Sequence, residues 1–179
     1  VGTTAGFVFE ATFLRGLDCP PALHEALSGI GVELDALEAR YPSVTWIAAL
    51  DLARGYLARP DETAAMVERR VGRALFEGSL LTLPGRLLAA ALPHMRPWGL
   101  LARTPMYVRM GRDDLVVEVD DADHRCLRLT VQDPASARPW VFRGMVEAAL
   151  DRIGEPYELE HREVDEWSFD LCVRLGNDP

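Results

Sequence analysis

The chain has 179 residues, nearly half of them hydrophobic and about a quarter charged, a mixture that suits one domain with its own core and excludes a disordered tract. Twenty-eight acids against nineteen bases leave a net charge of −9, which repels phosphate backbones, so nucleic acid is not an expected partner. No apolar run reaches the ~20 residues of a membrane span, the start VGTTAGFVFE lacks the basic stretch of a signal peptide, and Cys19, Cys126 and Cys172 are too far apart for a Cys-x-x-Cys site, so they read as thiols of a reducing, cytoplasmic compartment.

In GFVFEATFLRGL, Phe7, Val8, Phe9, Phe13, Leu14 and Leu17 fit a buried helix and, over the first four residues, a short strand; helix is the preferred reading. Pro20 and Pro21 suit the opening turn of a short helix bearing Leu23, Leu27 and Ile30. GVELDALEARYP gives another short helix, stopped before Pro42, and Ser43 is placed as the N-cap of a helix carrying Trp46, Ile47, Leu50, Ala53 and Leu57. From Asp61 to Thr82, Val67, Val71, Ala74, Leu75, Gly78 and Leu81 form one stripe, with Glu68, Arg69, Arg70, Arg73 and Glu77 on the wet side. Gly72 and Gly78 inside that helix point to close helix packing. Pro84 opens a helix running into Pro93 and His94.

After Pro105 the apolar spacing changes to alternation: MYVRM, LVVEV and RCLRLTV read as an antiparallel meander with GRDD and DDADH as turns. RPWVFRGMVEAALDRIG places Val141, Phe142, Met145, Val146, Ala149, Leu150 and Ile153 at helical spacings, with Gly154 as the stop. YELEHRE and WSFDLCVRL then form a hairpin. The expected fold is therefore α+β, a single domain over 1–179, with a helical half (1–104) packed on an antiparallel βββαββ half (105–179).

The pieces GFVFEATFLRGL, GVELDALEARYPSVTW, FEGSLLTLPGRLLAAAL and VFRGMVEAALDRIGEPYELEH resemble a paralogous family of unknown function expanded in myxobacteria; the Glu77, Gly78, Thr82, Leu83, Gly85, Arg86 run is its most specific piece. The order of elements also resembles the haem nitric-oxide-binding, four-vinyl-reductase and TRAPP-subunit domains. That likeness implies a hydrophobic ligand held between a helical subdomain and a sheet, and transfers no function without a site.

The resemblance would make His94 a proximal haem ligand. The relatives clamp the haem propionates with Tyr-x-Ser-x-Arg on a central strand; CLRLTVQD does not supply this, and Pro93 disturbs a helical presentation of the ring, so haem is disfavoured and no cofactor is expected. The competing reading of His94 is a polar helix-end residue. His24, His124 and His161 have no metal-site spacing, and Asp120, Asp121 and Asp123 lack the further ligands of a calcium loop, so no metal is expected. Gly-x-Ser-x-Gly, phosphate-loop and dinucleotide fingerprints are missing.

The best candidate surface is the seam between helices and sheet, where His94, Arg96, Trp98, Arg103, Tyr107, Arg109 and Arg128 could give aromatic walls and cations for an apolar ligand with a carboxylate or phosphate. In the alternative, the arginines sit on an exposed strand face and the aromatics fill the core. The expected function is a non-enzymatic module binding a small apolar ligand or a protein partner, with possible use in signalling. A small isomerase- or cyclase-like enzyme and a haem-based gas sensor are the other two readings, and the sequence leaves the oligomeric state open.

Overall fold

The computed structural model describes residues 2–123 and 126–176. A short strand β1 (Thr3–Ala5) leads into helix α1 (Gly6–Phe9), which widens into a π-helical stretch, Glu10–Gly16. Helix α2 (Pro21–Gly29) follows, then a single 3-10 turn, Leu34–Ala36, and strand β2 (Arg40–Pro42), antiparallel to β1. The expected helix over GVELDALEARYP is thus a turn and a strand. Its Tyr41 packs on Phe9 with ring centroids 4.7 Å apart, beside Trp46 of the following helix, which stands edge-on to Phe9 at 5.3 Å.

Helix α3 (Ser43–Leu57) starts one residue earlier than expected, with Pro42 at the cap and Ser43 inside the first turn, where its buried hydroxyl has no partner. Helix α4 (Ala64–Ser79) has a true side-chain cap, Thr63, whose hydroxyl accepts the Met66 N–H at 3.3 Å. Its stripe is buried as expected up to Gly78, whereas Leu81 lies past the helix end and is exposed. Glu68, expected in solvent, is buried, and Arg69, Arg73 and Glu77 cross to carboxylates or arginines of a later helix, α8 (Pro139–Ile153). The charged side of α4 is therefore an interhelical seam.

Three short helices come next: α5 (Gly85–Ala91), running through a 3-10 turn that ends at His94, then α6 (Pro97–Ala102) and α7 (Thr104–Gly111). Helix α7 replaces the first expected strand, MYVRM. Met106, Val108 and Met110 at i, i+2 and i+4 satisfy alternation, but i and i+4 also share a helix face, and Pro105 in the first turn already has helical φ. The second half is therefore ββαββ, and the change of period falls at Val116.

Strands β3 (Val116–Asp123), β4 (Cys126–Gln132), β5 (Tyr157–Glu163) and β6 (Ser168–Leu175) form an antiparallel sheet in the order β3-β4-β6-β5. Leu129 faces Leu171 and Val131 faces Phe169 in register, so one face is apolar. Helix α8 (Pro139–Ile153) covers it with Phe142, Val146 and Leu150, and is ended by Gly154 at φ 82°. Its other side meets α4 almost backbone to backbone: a Cβ on Gly72 would stand 1.9 Å from the Val141 carbonyl oxygen, and one on Gly144 2.0 Å from that of Arg69. Cys172 is disulfide-bonded, where a thiol was expected, and Cys19 keeps a thiol that burial, aided by Asp18, pushes up to about 11.

Candidate functional site

Helix α8 and the sheet do not close fully on the helices before them. Between them lies a cavity of about 450 Å³, walled by α3, α4, α5, α6, α7, α8 and the β4–β6 face. Trp46, Phe76, Leu88, Leu101, Met145 and Phe169 set its character, which is apolar. Two of the wall hydroxyls are turned to their own backbone: Ser79 donates to the Phe76 carbonyl at 2.6 Å and Thr82 to that of Ser79 at 2.7 Å. Toward the surface the cavity opens between α5 and α7, where the lining residues Leu87, Met106 and Met110 are exposed.

Its charged groups neutralise one another. Arg112 and Asp133, both on the wall and both buried, make two hydrogen bonds of 2.5 and 2.9 Å, and Asp114 takes two more from the same guanidinium at 3.0 and 3.2 Å. Burial opposes the Arg112 charge, but the hydrogen bonds and charges of Asp133 and Asp114 outweigh it and raise the guanidinium above its usual range. Asp133 also accepts the N–H groups of Ala135 and Ser136. Arg138, the second wall cation, pairs with Glu68 and Asp51. Both wall cations thus have carboxylate partners, and the Arg138 Nε N–H is the one buried guanidinium donor left without a partner among the described residues.

Of the seven residues expected to form the site, Tyr107 alone lines the cavity, from α7 and not from a strand. Arg109 is on the exposed side of the same helix, Arg103 caps it, and Arg96 lies exposed before α6. Trp98 packs half-buried against the sheet-side core. Arg128 projects from the exposed face of β4, as the alternative reading had it. His94 is exposed at the end of its 3-10 turn. The cavity therefore does not draw the seven together. The residues that matter instead, Arg112, Asp133 and Arg138, carry no local motif; Arg112 sits in GRDD, which reads only as a turn.

Two other histidines are also away from the cavity, His24 exposed on α2 and His161 edge-on to Trp140 with centroids 4.2 Å apart; His124 lies outside the described residues. Asp120, Asp121 and Asp123, expected in an acidic turn, belong to the end of strand β3, and the rest of that turn lies outside the described residues. Among the described residues no group of three or more His, Cys, Asp or Glu is placed to hold a metal. No described helix is long and apolar enough to cross a membrane.

The chain belongs to a family described as "Protein of unknown function (DUF2378)", whose model matches residues 3–172. No curated protein sequence matches it. Among solved structures it is similar to an H-NOX protein from S. oneidensis in the Fe(II)NO ligation state, with 11% identity, TM-score 0.70, and coverage of 97% of this chain and 99% of that one. It is similar also to a Fe(II) unliganded H-NOX protein from K. algicida, at 13% identity, TM-score 0.68 and 96% of both chains. A third similar structure is an oxygen-binding H-NOX domain related to soluble guanylate cyclases, at 13% identity, TM-score 0.65, covering 96% of this chain and 92% of that one. At these identities the likeness shows an H-NOX fold, as the order of elements implied, and nothing of function.

Proposed function

We propose that this DUF2378 chain is a non-enzymatic module that binds a small apolar molecule in the cavity between its helical part and its sheet, and that the buried end of that molecule is uncharged. The observation that carries the reading is the cavity: about 450 Å³ lies within the range of small-molecule sites, its walls are apolar, and its two arginines are ion-paired, with the Arg138 Nε N–H left as an unpartnered buried donor. An unpaired carboxylate at the Arg112–Asp133 end would be desolvated with no free cation to receive it, which costs several kcal/mol. Acid–base catalysis has little to work with there, since the wall carboxylate Asp133 is held by Arg112 and two backbone N–H groups.

The fold favours a second reading, a haem-based gas sensor, because the similar proteins are described in Fe(II), Fe(II)NO and oxygen-bound states. The residues do not fit a histidine-held haem. Among the described residues no histidine lines the cavity, and the two wall arginines that would meet propionates are already ion-paired. No step is derived through iron.

Thermal unfolding in the presence of a neutral fatty alcohol tests the reading, because a ligand bound only by the folded state raises the midpoint with concentration. The expected result is a saturable rise with the alcohol and none with inorganic phosphate or a nucleotide. No rise with any neutral apolar compound would overturn it.

A further inference from the structure

The opening of the cavity differs from the rest of the surface in charge. Residues 78–112 contain five arginines and no aspartate or glutamate, so all twenty-eight acids of the chain lie outside this stretch. Arg112 is buried against Asp133. The other four, Arg86, Arg96, Arg103 and Arg109, are exposed and make no ion pair among the described residues; elsewhere Arg59 is exposed in the same way, whereas Arg70, Arg73, Arg143 and Arg152 are paired. Arg86 sits between the cavity-lining Gly85 and Leu87, Arg103 precedes the cavity-lining Thr104, and Arg109 lies between Val108 and Met110, which also line it.

Apolar exposure is concentrated on the same elements. Leu83 is 80% and Leu87 82% exposed, the highest values of any large hydrophobic side chain described, and Leu81, Met106 and Met110 are exposed beside them. Leu87, Met106 and Met110 belong at once to the cavity wall and to the surface. Unpaired cations among apolar tips, on an otherwise acidic protein, match an interface that is anionic outside and hydrocarbon within. The acids that flank the stretch are already paired, Glu77 with Arg152, Asp113 with Arg40 and Asp114 with Arg112, and a screening length of about 8–10 Å near physiological salt weakens the reach of those farther away.

We propose that the α5–α7 face docks reversibly on an anionic lipid bilayer, with Arg86, Arg103 and Arg109 on the headgroups and Leu83, Leu87 and Met106 in the interfacial layer. A protein seated there would close the cavity, whereas a bilayer continues it: a water-insoluble ligand then passes between acyl chains and cavity without crossing water. The docking stands on the surface alone; what is exchanged rests on the apolar-ligand reading above.

Sedimentation with phosphatidylcholine vesicles, made with and without phosphatidylglycerol, tests this. The protein is expected to sediment only with the anionic vesicles and to be released as salt rises from about 50 mM to about 500 mM. The combined Arg86→Glu, Arg103→Glu and Arg109→Glu variant should lose at least about tenfold in binding, Leu83→Ser should weaken it several-fold, and Arg59→Glu, which reverses an exposed arginine away from this face, should not. These side chains are exposed, and equal thermal midpoints verify folding. No sedimentation with anionic vesicles even at low salt, equal sedimentation with both kinds, or an unaffected triple variant would each overturn the docking, the first leaving the face to an acidic protein. Titration with the neutral dye Nile red in the same samples separates the two proposals. Dye binding without vesicle binding overturns only the docking, and vesicle binding without dye binding overturns only the ligand reading.

Discussion

Arg112, at the end of α7, and Asp133, just after β4, join the helical part to the sheet through a two-pronged ion pair that both residues bury. The pair fixes the inner end of the cavity, and Asp114 is a second carboxylate on the same guanidinium. Removing Asp133 takes two of the four hydrogen bonds from the buried Arg112 and leaves Asp114 as its remaining carboxylate, so Asp133→Ala is expected to cost about 1–3 kcal/mol in urea unfolding, and Arg112→Met with Asp133→Leu less than the two single changes combined. Additive losses would show that the two residues act independently.

The contact between α4 and α8 leaves no room for side chains at its glycines. Gly72→Ala would drive a methyl group to 1.9 Å from the Val141 carbonyl oxygen, so the helices must separate, at a cost of about 2 kcal/mol or more. Gly55→Ala in α3 meets nothing within 4 Å and should stabilise by about 0.5–1 kcal/mol. The opposite signs, read from paired denaturation curves, distinguish packing from helix propensity; a neutral Gly72→Ala would refute the packing.

Acid sensitivity should show first at His161. Burial, then the charge of Arg143, lower its pKa below 6.5, so the folded chain favours the neutral ring. As pH falls through about 6.5, the unfolded chain binds a proton that the folded one resists, and this stabilisation is lost as pH drops toward the folded pKa. Asp113 and Asp151, whose pKa values lie below 3.8, add their losses only at lower pH. His161→Gln should therefore flatten the fall in urea midpoint between about pH 7 and about pH 5. Parallel curves for the two proteins would exclude this role.

Haemin discriminates the two readings of the fold. Since no described histidine lines the cavity, ferrous protein reconstituted with haemin should not give the spectrum of a histidine-ligated iron, and His94→Ala should leave the spectrum unchanged. A sharp Soret band lost in His94→Ala would restore the sensor.

Much of the fold was legible because buried faces repeat. In α8 seven apolar residues recur at helical spacing before Gly154, and in β6 Phe169, Leu171 and Val173 alternate, so both elements were placed to within a residue or two. Over five residues the same logic fails: Met106, Val108 and Met110 suit strand and helix alike, and tertiary packing around the cavity decides. The site was less legible still. His94 stands out in sequence yet faces solvent, while Arg112 and Asp133 are 21 residues apart and show their meaning only when α7 and β4 come together. Tyr107 is the one expected residue on the wall, reached from a helix instead of a strand.

The most direct measurement is a fluorescence titration of the protein and its Leu88→Trp variant with Nile red, a neutral apolar dye. Leu88 lines the cavity from α5 and is half-buried, so the larger ring fills the space without dismantling a core. Saturable one-to-one binding with blue-shifted emission, weakened at least about tenfold by Leu88→Trp at an unchanged thermal midpoint, is the predicted result. Absence of saturable binding, or equal binding by a folded Leu88→Trp variant, would contradict the cavity as a ligand site.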